Sequence, residues 1–239
     1  DASLKELLHK DFPAESIMRA DEAGFSVKGL GASREAIDYV MKAIEEAGYL
    51  PGADVGLALD VAASSFYQAA GDKYLFQGKE IGASEMIEYY LGLAEAYPGK
   101  IVSIEDGLGE NDWQHWPALT SELLKRDILS VGDDLFVTQM GRLQRGVREK
   151  SASAILIKVN QNGNMQGTVD VMNYADANQM ECIVSHRSGE TLDDSIADLA
   201  EGMGAFGLKT GDPQPPKDFP NQEEWVRRIK YLRMLEFDK

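Results

Sequence analysis

Six apolar runs, each ending in a polar or charged side chain, constrain this sequence more than any other feature. Val55 to Leu59 ends on Asp60, Ile101 to Ile104 ends on Glu105 and Asp106, and Leu129 to Val131 leads through Gly132 to Asp133 and Asp134. Ala154 to Ile157 ends on Lys158, Cys182 to Val184 reaches Ser185, His186, Arg187 and Ser188, and Ala205 to Leu208 ends on Lys209. A buried strand with a solvated end accounts for any one of these. Six in succession are better explained by parallel strands whose carboxyl ends point at one site, where (β/α) barrels keep their chemistry.

The spacing agrees. Asp60 and Glu105 lie 45 residues apart, and the next ends follow at intervals of 28, 25, 28 and 23 residues. A strand with its crossover helix takes about 30 residues, so each later gap holds one unit. The longer first gap holds an excursion around Tyr67 to Gly82, with Tyr74 to Phe76 as one arm of a hairpin. Helices are expected from Ser33 to about Ala47 and from Ser84 to Tyr97, the serine capping each. A last amphipathic helix runs from Glu223 to Phe237, with Trp225, Ile229, Leu232 and Leu235 as its apolar stripe. The reading is an α/β chain forming one barrel domain over residues 1–239, with six of the eight strands a closed barrel requires.

Composition narrows the function. Of the 239 residues 44% are hydrophobic, enough for one barrel-sized core. The net charge of −16 argues against nucleic acid, whose phosphates call for a basic surface. It does not argue against a small anion, because a local group of cations overrides the global field. Cys182 is the single cysteine, so an internal disulfide is excluded, and its place in an apolar run marks a buried structural thiol. No apolar run approaches the roughly 18 residues of a membrane span. With no signal peptide in view, the expected setting is cytoplasmic.

The strand ends carry the chemistry. Asp60, Glu105 and Asp133 are three carboxylates that repel one another at a barrel mouth. Oxygen ligands without cysteine suit a hard cation, magnesium or manganese, which removes the repulsion. Lys158 and Lys209 end later strands, where neighbouring cations bring a neutral amine base within reach. Ser185-His186-Arg187-Ser188-Gly189-Glu190 opens the next helix, and Arg187 and Ser188 read as a grip on phosphate or carboxylate. Together these groups point to removal of a proton from the carbon next to a carboxylate, with the metal holding the resulting ene-diolate.

Leu59-Asp60-Val61-Ala62-Ala63-Ser64, Ser103-Ile104-Glu105-Asp106, Gly132-Asp133-Asp134-Leu135, Leu156-Ile157-Lys158-Val159-Asn160-Gln161, Ser185-His186-Arg187-Ser188-Gly189-Glu190 and Lys209-Thr210-Gly211 occur in an order and spacing that resemble the barrel domain of the enolase family (phosphopyruvate hydratases). The resemblance covers about residues 21–211. It implies a TIM-type barrel and a lyase of glycolysis that dehydrates 2-phosphoglycerate to phosphoenolpyruvate, with Mg2+ as cofactor and a homodimer as the expected assembly. It implies Asp60, Glu105 and Asp133 as metal ligands, Lys158 as the base at C2 and Glu22 as the acid that helps the C3 hydroxyl leave. It implies Lys209 at the substrate carboxylate, Arg187 and Ser188 at the phosphate, and His186 near the leaving group. Family members also carry an N-terminal α+β domain and two first barrel strands, which are expected to be absent here.

The sequence departs from the family pattern in places. Ala23-Gly24 stands where the family has two glycines, Gly107 and Gly109 where it has proline and alanine, and Gly211-Asp212-Pro213 where it has Gly-Ala-Pro. These departures keep two alternatives open. One is a relative acting on another carboxylate. The other is a non-catalytic binding protein on the same barrel, motivated by the basic run Arg227, Arg228, Lys230 and Arg233 beside a strongly acidic surface, a run that a solvated helix face also explains.

Overall fold

The computed structural model describes residues 1–211 apart from 21, 23, 32 and 70, together with the helix Gln222–Phe237, of which the side chains of 222–227 are left aside. Ala23, Asp212 and Trp225 therefore lie outside the described residues or side chains. In chain order the elements are α1 (Ala2–Asp11), β1 (Ile17–Arg19), β2 (Phe25–Val27), α2 (Ser33–Glu46), β3 (Leu57–Asp60), β4 (Tyr67–Gln68), β5 (Lys73–Phe76), β6 (Lys79–Ile81), α3 (Ala83–Ala96) and β7 (Ile101–Glu105). There follow α4 (Trp116–Leu124), β8 (Leu129–Gly132), α5 (Met140–Glu149), β9 (Ala154–Ile157), α6 (Val159–Asn162), α7 (Met165–Ala177), β10 (Glu181–Ser185), α8 (Ser195–Gly202), β11 (Gly207–Lys209) and α9 (Gln222–Phe237). All six apolar runs become strands. The chain forms two compact units, Gly56–Ile183 and, from both ends of the sequence, Asp1–Val55 with Val184–Lys239.

The larger unit is built on a sheet in the order β3–β7–β8–β9, with the start of β10 beside β9. The described pairings of β3, β7, β8 and β9 are parallel. Asp60 is the register partner of Glu105, and Glu105 that of Val131. Parallel strands covered on both faces need continuous apolar runs; β9 satisfies this, with Ala154, Ile155, Leu156 and Ile157 all fully buried. Val131, Ala154 and Leu156 form a core cluster, with Leu129 and Ile183 packed against it. The excursion after β3 is a three-stranded antiparallel sheet, β4–β5–β6, one strand more than the expected hairpin. α3 starts one residue earlier than Ser84, since the Glu85 carboxylate accepts from the Gly82 N–H at 2.9 Å and closes its first turn.

In the smaller unit α1 packs on α2, and α8 packs on α9 and on β11. β1 and β2 pair antiparallel, from Ile17 opposite Val27 to Arg19 opposite Phe25. Three-residue strands have too little alternation for a period to show, and the sequence reading passed over them. The end of β10 lies beside β11, where the His186 N–H donates to the Lys209 carbonyl at 2.9 Å. α9 is helical as expected, but its stripe is not the expected one. Leu232 and Leu235 are exposed, while Lys230, read from the sequence as part of a basic helix face, is fully buried. No helix among the described residues is long and apolar enough to cross a membrane.

Candidate active site

Within the larger unit the strand ends are stitched together by their own backbone. Val61 N–H donates to the Glu105 carbonyl, Ala63 N–H to the Asp106 carbonyl and Asp106 N–H to the Val131 carbonyl, each at 3.0 Å. These bonds continue the ladders past β3 and β7 and hold the first residues after each strand in one layer. Asp106 sits there with φ 42°, a left-handed conformation uncommon for a residue other than glycine. Its carboxylate is buried and spans two donors, Oδ1 accepting from Asp133 N–H at 3.0 Å and Oδ2 from Asp134 N–H at 2.9 Å. Burial pushes Asp106 up to about 7; the two N–H bonds oppose the shift, and the charges of Asp133 and Asp134 add to it. Asp134 is raised as well, first by burial and next by the Asp133 charge.

Of the three predicted metal ligands, Asp60 and Glu105 stand side by side by register, Asp60 exposed and Glu105 buried. Asp133 follows β8 and is buried. The Lys158 ammonium donates to Asp133 Oδ2, so the predicted base and a predicted ligand meet in a charge-assisted hydrogen bond. Lys158 N–H is fixed by Thr138 Oγ1 at 2.9 Å. The second carboxylate oxygen, Asp133 Oδ1, is buried and has no hydrogen-bond partner among the described residues. A buried carboxylate oxygen without a donor is costly. Asp106, Asp133 and Asp134 each offer a ligand atom, and these atoms lie within 4.8 Å of one another, a group that shares only Asp133 with the predicted ligands Asp60, Glu105 and Asp133. An unsatisfied buried oxygen in an oxygen-only donor set is the environment a hard cation completes, so these residues fit a magnesium-type ion.

The smaller unit carries the other predicted residues. Glu22, with φ 63°, places Oε2 3.1 Å from Nε2 of the buried His186. Arg187 and Lys209 are half-buried and Ser188 is exposed. Arg187 N–H donates to Glu190 Oε1 at 2.8 Å, and Glu190 Oε2 lies 2.8 Å from Lys230 Nζ. The residues Asp60, Glu105, Asp133 and Lys158 thus belong to one unit, and Glu22, His186, Arg187, Ser188 and Lys209 to the other.

Three residues that shape these groups are given no site role by the sequence pattern: Asp106, Glu190 and Lys230. Asp106 works on backbone N–H groups, which no side-chain pattern reveals; its one signal is a second acid directly after a strand-ending acid. Lys230 had a better signal, since it falls four residues after Val226 and four before Met234, on one line of the helix. The two glycines that depart from the family pattern have a local cause. A Cβ on Gly109 would lie 2.9 Å from the Tyr67 ring, and one on Gly107 would lie 3.0 Å from Leu119 Cδ2.

Two comparisons with known proteins bear on the family. Residues 2–227 match the family described as Enolase, C-terminal TIM barrel domain. An enolase of Natranaerobius thermophilus is 46% identical over 213 residues, which are 88% of this chain and 48% of that protein. The chain therefore spans about half the length of that curated relative. On both comparisons the chain belongs to the enolase family, by its C-terminal TIM barrel domain.

Proposed function

We propose that this chain is the catalytic barrel portion of an enolase and takes part in dehydrating 2-phosphoglycerate to phosphoenolpyruvate, a step of glycolysis and gluconeogenesis. The observation that carries this reading is Asp133, with one oxygen on the Lys158 ammonium and the other buried and unsatisfied among the described residues. Asp133 faces the Lys158 ammonium with one oxygen and would offer the other to a cation, so ligand and base share one carboxylate. Lys158 is the base that takes the C2 proton. Glu22 gives a proton to the departing C3 hydroxyl, so that a C–H and a C–O bond break, a C2–C3 double bond forms and water leaves. The 3.1 Å approach of Glu22 to His186 supports a carboxyl held ready for that transfer. Arg187 and Ser188 bind the phosphate, and Lys209 the carboxylate. Asp60, Glu105 and Asp133 would hold magnesium, which supplies positive charge against the second negative charge the carboxylate gains on deprotonation.

On this reading residues 1–239 act as one barrel domain, in the cytoplasm and as a homodimer. The test is absorbance at the phosphoenolpyruvate band with 2-phosphoglycerate, with and without magnesium, on this chain and on Lys158→Ala. Magnesium-dependent turnover that falls by about 10²–10⁴-fold in the variant is expected for loss of the base. Turnover that survives in Lys158→Ala removes the assignment of Lys158. Magnesium binding without turnover of this substrate points to a portion that needs the rest of an enolase, or to a relative acting on another carboxylate.

A further inference from the structure

Lys230 is the one lysine of α9 and it is completely buried. A buried ammonium is costly unless it is paired and hydrogen-bonded. Here it is both: Nζ lies 2.8 Å from Glu190 Oε2 and donates to the Thr191 carbonyl at 3.0 Å. The partner carboxylate belongs to the Ser185-His186-Arg187-Ser188-Gly189-Glu190 segment. Its other oxygen accepts the backbone N–H of Arg187 at 2.8 Å. A line of three groups therefore runs from the last helix, through one carboxylate, to the main chain of the residue read as the phosphate grip. α9 is further tied down by Arg233, whose Nε and Nη2 both lie 2.9 Å from Asp198 Oδ1 on α8.

We propose that Lys230 is a positioning residue for anion binding, acting through Glu190 to fix the backbone of Arg187. This rests on the reading of Arg187 and Ser188 as a phosphate grip. The physical reason is that Glu190 alone is a flexible side chain on a short loop. With one oxygen held by a buried ammonium, the other faces the Arg187 amide, and the loop starts from a fixed point. The guanidinium then loses less freedom on meeting its ligand.

The test uses the whole chain and inorganic phosphate as probe, with Lys230→Met, Glu190→Gln and the double variant. Calorimetry gives phosphate affinity, and hydrogen exchange gives the lability of the Arg187 amide. Each single variant is expected to bind phosphate about tenfold more weakly and to exchange the Arg187 amide faster. The double variant is expected to be no worse than either, because the two groups act in series. It also leaves no unpaired buried charge, so it stays folded if Lys230→Met alone does not. Manganese binding at the carboxylates of the other unit is expected to stay unchanged. Phosphate affinity unaltered in the double variant, or losses that add, would overturn the proposal. If Arg187→Ala binds phosphate as well as the unaltered chain, the grip reading falls and the proposal with it. An unchanged Arg187 amide in Lys230→Met overturns the proposal alone.

Discussion

At Asp133 two demands meet on one side chain. Oδ2 is committed to Lys158 while Oδ1 lies buried without a donor among the described residues, so on the proposed reading a cation would complete the pair. Cys182 is the opposite case, a reactive group silenced by its surroundings. Burial pushes its thiol up to about 12 from an ordinary 9.0, and the charges of Glu181 and Asp176 add to the shift. At pH 8 only about one thiol in 10⁴ is then ionised, and the thiolate is the reactive form. Because the folded value lies above the unfolded one, the neutral thiol costs nothing well below pH 9 and destabilises the fold as pH climbs toward 12. A disulfide reagent at pH 8 is expected to leave Cys182 unlabelled in the folded chain and to label it fully in denaturant. Rapid labelling of the folded chain would show that the strand is open. The sequence made Cys182, Asp60, Glu105, Asp133 and Lys158 legible for one reason: each sits in or at the end of an apolar run. It left Lys230 hidden, because a lysine on a helix is ordinarily solvated and only the partner, 40 positions earlier at Glu190, reverses that.

Strand–helix units place these residues, and their packing explains why a small change in a helix reaches the site. Gly146 on α5 faces Phe136, a fully buried ring just beyond Asp133 and Asp134. A Cβ there would lie 2.3 Å from Phe136 Cε1 and 2.6 Å from Cζ. Intrinsic propensity favours alanine over glycine in a helix by about 1 kcal/mol, while overpacking a filled core costs about 1–3 kcal/mol. The ring cannot step aside, since it is fully buried and packs at a tilt of 58° near Trp113 with centroids 6.4 Å apart. The steric effect therefore wins. Gly146→Ala is expected to lower stability by up to about 2 kcal/mol in denaturant titration, and a gain in stability would refute the packing argument. At this scale the sequence was most informative where elements are long or strongly apolar: β3, β7, β8, β9, β10 and β11 all follow from their runs. It was least informative for β1, β2 and β4, whose two or three residues carry no period and depend on partners elsewhere in the chain. Asp106 belongs with these, because what it satisfies is the main chain of β8's exit, not a side chain.

Across the whole molecule, a net charge of −16 coexists with buried acids gathered at strand ends. Such a chain is short of positive charge where its carboxylates are densest, and Lys158 meets only part of the need. Uptake of a divalent cation by the folded form alone must then stabilise it. At a free concentration ten times the dissociation constant the gain is about 1.4 kcal/mol, and for a chain of this size that is about 3 °C in the unfolding midpoint. Asp60, Glu105 and Asp133 all belong to Gly56–Ile183, as do Trp113 and Trp116, whereas Trp225, the remaining tryptophan, does not. A Trp225→Phe chain therefore reports thermal unfolding of the larger unit alone by fluorescence. Magnesium is expected to raise that midpoint by a few degrees, saturably. Asp133→Asn is expected to abolish the rise, because it removes one anionic ligand and leaves Lys158 without its carboxylate. A rise that survives in Asp133→Asn would mean the cation is held by other acids, and the assignment of the metal site would have to move. No rise in the unaltered chain would mean that the unsatisfied oxygen of Asp133 is not a ligand at all.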